Sequence, residues 1–240
     1  MKTLNLIIIL TFSIVLSSCN IKINLGEVGN GNLTTQDRNI SEDFSEIKSS
    51  SGMDVFLTQG EENKVAVEID ENLQQYVETT VLNGVLKIGT TENIKSAKAK
   101  KVYVTYKELD KIEASSGSEV KANSVIKSQN LCLKASSGAE IDLVVFSQHL
   151  TATASSGAEI DVSGKATSIT AQASSGSEID AKELLVINCN AKASSGAEIS
   201  VNVKENIDAK ASSGGDIKYY GNPTKVTSNK SSAGRVKKAS

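Results

Sequence analysis

Apolar and polar residues alternate by twos through the second half of the chain. The apolar series runs Leu131, Leu133, Ala135; Leu150, Ala152, Ala154; Ile169, Ala171, Ala173; Ile187, Cys189, Ala191, Ala193; and Ile207, Ala209, Ala211. Between them stand Lys134, Thr151, Thr153, Thr170, Gln172, Asn190, Lys192, Asp208 and Lys210. Period two predicts strands with one face inward and one outward. Each run ends in ASSGAEID or a close variant, starting at Ala135, Ala154, Ala173, Ala193 and Ala211. After the glycine the alternation resumes, with Glu140 outward, Ile141 inward and Asp142 outward.

The corner glycines Gly117, Gly138, Gly157, Gly176, Gly196 and Gly214 are separated by 21, 19, 19, 20 and 18 residues. Gly234 extends the series by twenty, and Gly52 stands 65 residues before Gly117, room for about three more units. A unit this short cannot hold paired helices and their turns. Strand, corner, strand and a second turn, repeated, predict an all-β, single-domain parallel β-helix, a solenoid of about 18–21 residues per coil. It is expected to be right-handed, with an irregular N-terminal capping region. Alanine at so many inward positions suits a narrow tube better than a sandwich, whose gap of about 10 Å needs larger side chains. A sharp corner needs a residue able to take positive φ, hence glycine. The two serines beside it are suited to bonding corner backbone groups or stacking between coils.

Five segments follow from this pattern. Residues 1–18 read as a lipoprotein signal peptide and 19–40 as a linker after a lipid anchor. Residues 41–113 read as the N-terminal coils and cap, 114–226 as the regular solenoid, and 227–240 as a degenerate last coil with a basic tail. Within the cap, EIKSSSGMDVFLTQGEENKVAVEID predicts two strands about a QGEEN turn, and VLNGVLKIG a hairpin or tight corner at Asn83-Gly84. KVYVTYKEL predicts a strand, while ENLQQYVETT suits either a helical turn or a strand.

The apolar run from Leu4 to Leu16 is short for a membrane span and follows a single Lys2. It ends in LSSC, which resembles a bacterial lipobox, so Cys19 is the expected site of lipidation and of attachment to a membrane. The protein is thus expected to be exported and anchored to the outer membrane, facing the periplasm or the outside. Two further cysteines, Cys132 and Cys189, are predicted to be free thiols, because a disulfide scaffold would carry more at patterned spacings. A net charge of −2 with no basic stripe argues against nucleic acid as a partner.

The opening FSEIKSSSGMDVFLTQGEENKVAVEIDENLQQYVETTVLNGVLKIG, the pair VYVTYKELDKIEASSGSEV, the serial Ser-Gly corners and the closing SSGGDIKYYGNP together resemble the head GIN domain family. Members are exported proteins of Bacteroidetes type that carry the label "putative auto-transporter adhesin". The resemblance covers about Phe44 to Val226. It implies a parallel β-helix and brings no catalytic residues with it. The residues after Val226 are not expected to form a translocating barrel, which leaves the Cys19 lipid as the expected means of attachment.

Outward carboxylates are the candidate site. Glu119, Glu140, Glu159, Glu178, Glu198 and Asp216 hold one position in successive coils, and Asp142, Asp161 and Asp180 form a second row. Stacked charges about 5 Å apart repel by roughly 0.8 kcal/mol per pair in water. Ca²⁺ could offset this; so could solvent and lysines such as Lys121, Lys134, Lys182, Lys192 and Lys210. The repeat is longer and poorer in glycine than that of calcium-binding β-rolls, which favours the second reading and no cofactor. A glycosidase needs one unusual coil with a cleft and acids of unlike pKa, whereas these acids recur equivalently. His149, the one histidine, has no evident partner in sequence, and the outward threonine row is broken after Thr151, Thr153 and Thr170. The sequence therefore predicts a non-enzymatic envelope or surface lipoprotein that displays acidic and polar rows to a carbohydrate or protein ligand. A polysaccharide-cleaving β-helix enzyme and a purely structural envelope protein are the alternatives.

Overall fold

The computed structural model describes residues 26–239, and the predicted signal peptide and Cys19 anchor lie outside them. The N-terminal strands are β1 (Glu27–Val28), β2 (Leu33–Arg38), β3 (Glu46–Ser49), β4 (Asp54–Gln59), β5 (Lys64–Asp70), β6 (Val77–Leu82), β7 (Val85–Thr90), β8 (Ile94–Ser96) and β9 (Lys100–Tyr106). The repeats supply β10 (Lys111–Ala114), β11 (Glu119–Ala122), β12 (Ile126–Ser136), β13 (Glu140–Ser155), β14 (Glu159–Ser174), β15 (Glu178–Ala193) and β16 (Glu198–Ala211). The chain closes with β17 (Asp216–Tyr220), β18 (Lys225–Lys230) and β19 (Arg235–Lys238).

From β12 to β16 each strand pairs in parallel with its counterpart one repeat on, so like residues stack on like. Ile141, Ile160, Ile179, Ile199 and Ile217 form one fully buried column, and Ala152, Ala171, Ala191 and Ala209 another. Each buried isoleucine contributes roughly 1.5–3 kcal/mol and each alanine far less. The inter-coil backbone ladder makes up for this narrow core, because it satisfies the peptide groups of every coil. Mid-coil, the long strands bend. There Ser147 Oγ donates to the carbonyl oxygens of His149 (3.1 Å) and Gln129 (3.3 Å). At the same bend Ile187, expected inward, is half-exposed, because the register slips between Val186 and Asn188.

The corner is a type I′ turn in which both central residues take positive φ: Ser137 at 54° and Gly138 at 68°, closed by Ala139 N–H to the Ser136 carbonyl at 3.2 Å. Sequence reasoning assigned this conformation to the glycine alone, but the serine shares it at all eight corners from Ser51 to Ser232. The last corner departs from expectation in register. Ala233, at φ 63°, occupies the corner-glycine position, while Gly234 lies one residue later, opposite Gly215.

At the N-terminus the stacking order differs from the chain order. β3 and β4 form the first coil, yet β7 and β9 stack on one side of it and β10 and β11 on the other. The corners at Gly52 and Gly117 therefore sit in adjacent coils, with Gly52 N–H donating to the Ser116 carbonyl at 3.0 Å. The intervening 65 residues hold one excursion instead of three further corner units. Loop-closure entropy grows slowly with length, so such an excursion costs little more than a short loop.

That excursion builds the cap. β5 runs antiparallel between β2 and β9, and β6 pairs antiparallel with β7 through the expected hairpin, with Asn83 at φ 52° and Gly84 at 76°. A 3-10 helix, Glu71–Tyr76, links β5 to β6 and buries Leu73 and Gln74, settling the ambiguity of ENLQQYVETT. Buried Asp70 accepts backbone N–H bonds from Gly31 (2.5 Å) and Lys98 (2.7 Å). At the opposite end β18 is exposed along its whole length, and Lys225, Lys230, Arg235, Lys237 and Lys238 crowd the last coil, a common guard against edge pairing.

Candidate functional site

Each coil presents two outward sides, separated by the mid-coil bend and the corner. On the first, parallel register makes one ladder of Asp54, Glu119, Glu140, Glu159, Glu178, Glu198 and Asp216. A cation ends it in each direction: Lys101 is opposite Asp54 and Arg235 opposite Asp216. The second row reads Lys121, Asp142, Asp161, Asp180, Ser200 and Lys218. The predicted carboxylates are thus brought together, but not equivalently.

Lysines neutralise the ends of this grid. Lys121 pairs with Glu119, Lys218 with Glu198, and Lys182 with Asp180 at 3.2 Å. Of the other lysines expected to help, Lys134 pairs with Glu113 (3.7 Å) and Lys210 with Asp208 (3.7 Å), both on the second side of the coil. Lys192 has no ion pair among the described residues. Asp216 departs furthest from expectation. It is only 6% exposed, with Arg235 Nη2 at 3.2 Å and Lys237 Nζ at 3.6 Å from Oδ2, because the last coil folds over it.

In the centre Glu140, Asp142, Glu159, Asp161 and Glu178 have no ion pair among the described residues. Partial burial and then the Asp161, Glu178 and Glu140 charges push the Glu159 carboxyl up, and its side chain hydrogen-bonds Asp161. Burial followed by the neighbouring acids also raises Asp161 and Glu178. These shifts signal like-charge crowding. Among the described residues no group of three or more His, Cys, Asp or Glu is placed to hold a metal ion.

The second side carries one column with Glu113, Lys134, Lys192 and Lys210, and two that are largely neutral. The latter two read Asn130, His149, Ser168, Asn188, Asn206, Lys225 and Cys132, Thr151, Thr170, Asn190, Asp208, Thr227. His149, expected to lack a partner, meets Ser168 Oγ through Nδ1 at 2.9 Å. One coil further, Asn206 Nδ2 donates to Asn188 Oδ1 at 2.7 Å, so the imidazole–hydroxyl pair is one rung of a polar ladder. A groove of about 360 Å³ runs between the two columns. Sequence reasoning took these residues only as a broken threonine row; the signal for the groove was the alternation of small polar groups at fixed repeat positions.

The bend beside the acidic side carries an exposed apolar patch, with Val144, Phe146 and Leu185 at 42%, 59% and 46% exposure. Lys127 and Leu185 flank Phe146 and Lys165 in register. Cys132 and Cys189 are both free, and burial pushes the Cys189 thiol up to about 12.

Solved structures share this architecture. A putative adhesin from Bacteroides fragilis is 20% identical, with a TM-score of 0.83 over 89% of this chain and 100% of that one. A putative adhesin from Parabacteroides merdae is 24% identical, with a TM-score of 0.74 over 89% and 99%. A protein from Parabacteroides distasonis described as a putative lipid binding protein is 22% identical, with a TM-score of 0.70 over 89% and 99%. At these identities the likeness is one of fold. A comparison with curated proteins finds no match. The family model described as "Putative auto-transporter adhesin, head GIN domain" matches residues 43–223, most of the chain. With its fold, its serial corners and this match taken together, the chain belongs to the head GIN domain family.

Proposed function

We propose that the protein is an exported envelope lipoprotein, anchored through Cys19, whose solenoid binds a partner without transforming it. The observation that carries this reading is the in-register repetition of outward side chains, with Glu140, Glu159, Glu178 and Glu198 in successive coils. A surface of this kind makes many similar weak contacts at a regular spacing of roughly 4.8 Å, and such contacts sum through multivalency. A catalytic pair of carboxylates needs environments that drive two pKa values apart. Here burial and then the neighbouring acids push Glu159, Asp161 and Glu178 all in one direction, which favours binding over cleavage. The adhesin label of the family points the same way.

Glycan-array and whole-cell binding with the purified protein tests the binding half of this reading; no binding to either would sink it. Metabolic labelling with palmitate tests the anchor. Label is expected in the wild type and absent from Cys19→Ala, which should be released from membranes.

A further inference from the structure

We propose that the groove on the amide-bearing side of the solenoid binds a neutral carbohydrate chain laid along the stacking axis. This inference rests on the binding reading above and gives it a site and a ligand class. One wall of the groove is Ser168, Asn188, Asn206 and Lys225, and the other is Thr170, Asn190, Asp208 and Thr227. Its floor is the buried row Ile169, Cys189 and Ile207. Six of the eight wall groups are neutral amides or hydroxyls, each able both to donate and to accept. The bond from Asn206 to Asn188 fixes the orientation of two of these amides and leaves their remaining donors and acceptors outward.

The two charged wall groups, Asp208 and Lys225, are opposite in sign. Asp208 Oδ2 lies 3.7 Å from Lys210 Nζ, while Oδ1 is shielded from solvent with no hydrogen-bond donor among the described residues. A neutral sugar hydroxyl suits both charged groups, donating to the exposed part of the Asp208 carboxylate and accepting from Lys225, whereas an anionic ligand is favoured at one and repelled at the other. A peptide strand is disfavoured by the sheet itself. β14, β15 and β16 are hydrogen-bonded in sequence, and β16 to β18, so the groove offers no free strand edge to extend. A membrane surface is disfavoured because the walls are polar and the side chains of Ile169, Cys189 and Ile207 are buried in the core. Like groups recur coil after coil, roughly 4.8 Å apart, which suits a polymer of like units.

Isothermal titration of the purified full chain with maltohexaose, cellohexaose and mannohexaose tests the inference, with oligogalacturonate as the anionic comparison. At least one neutral hexasaccharide is expected to bind. Asn188→Ala/Asn206→Ala and Asp208→Ala should each weaken that binding at least about ten-fold, the loss expected for one or two good hydrogen bonds. Asn190→Trp, which blocks the groove from its rim, should do the same, while Glu61→Gln, exposed in the turn between β4 and β5, should leave affinity unchanged. Circular dichroism should show all four variants folded. Full affinity in the groove variants, or binding of oligogalacturonate alone, would overturn this inference and leave the binding reading standing. No binding to any oligosaccharide overturns the inference, and only the further absence of whole-cell binding overturns both.

Discussion

The backbone N–H of Gly157 donates to the carbonyl of Ser175 one coil on, at 3.1 Å, and the same bond recurs at the neighbouring corners. The inter-coil ladder therefore passes through the turns without a break. Two left-handed residues per corner are the condition for this, and they are unfavourable for serine by roughly 1–2 kcal/mol each.

That relationship separates two glycines. A Cβ on Gly157 meets nothing within 4 Å, so Gly157→Ala costs only the strain of φ 68°, about 1–2 kcal/mol. Gly164 combines φ 107° with the Val145 carbonyl oxygen 2.2 Å from an added Cβ, so Gly164→Ala should cost more, about 3 kcal/mol. Urea unfolding of both variants checks the ranking; equal losses would mean that the corner is not governed by backbone conformation.

Glu159, Asp161 and Glu178 have folded pKa values raised by burial and then by one another. The folded protein thus takes up protons at higher pH than the unfolded chain. The three acids cost stability at neutral pH, and that cost fades as pH falls through the mildly acid range. Asp70 and Glu113 have the opposite sign. Burial pushes each upward, but backbone N–H groups at Asp70 and Lys111, Lys134 and Lys48 at Glu113 outweigh it. Their stabilisation is present above the ordinary carboxylate pKa and is lost as pH falls further. The melting temperature should accordingly pass through a maximum on the mildly acid side of neutrality. Glu159→Gln/Asp161→Asn should raise it at pH 7 by a few degrees, roughly 1 kcal/mol after solvent screening. A scanning-calorimetry pH series reads both effects.

Asp70 ties the cap together. Asp70→Ala leaves the N–H groups of Gly31 and Lys98 without their acceptor and should cost about 3 kcal/mol. Hydrogen exchange should show the loss first in β2 and the Glu71–Tyr76 helix, while the repeat ladder β13–β16 stays protected.

Cys189 is buried under the stacked column, with its thiol pushed up to about 12 by burial. Native protein should leave it unalkylated by iodoacetamide at pH 8, while half-buried Cys132 reacts slowly. Mass spectrometry of the labelled peptides reads the difference.

The repeat was legible because parallel stacking forces each coil to repeat the inward and outward choice of the last. Ile141 and Glu140 therefore announce Ile160 and Glu159. The second left-handed residue was hidden, because a serine that shares a turn with glycine looks like any other serine. The stacking order of the first coils left no trace either, since β3 pairs with β7 and β10, neither next to it in sequence. Distant pairing has no local signature. The acidic rows were legible as positions and not as environments. Lys218 reaches Glu198 and Arg235 covers Asp216 from the following coil, contacts set by register alone. The amide groove was obscured for a related reason: its walls are single side chains from successive repeats, and no one repeat contains it.

Residue-resolved amide shift mapping, with the protein titrated by the hexasaccharide that binds it, tests the central claim most directly. Shifts should concentrate on residues 168–170, 188–190 and 206–208, the walls and floor of the amide-side groove. Shifts confined to residues 140–142, 159–161 and 178–180 would place the contact on the acidic rows and contradict the groove assignment.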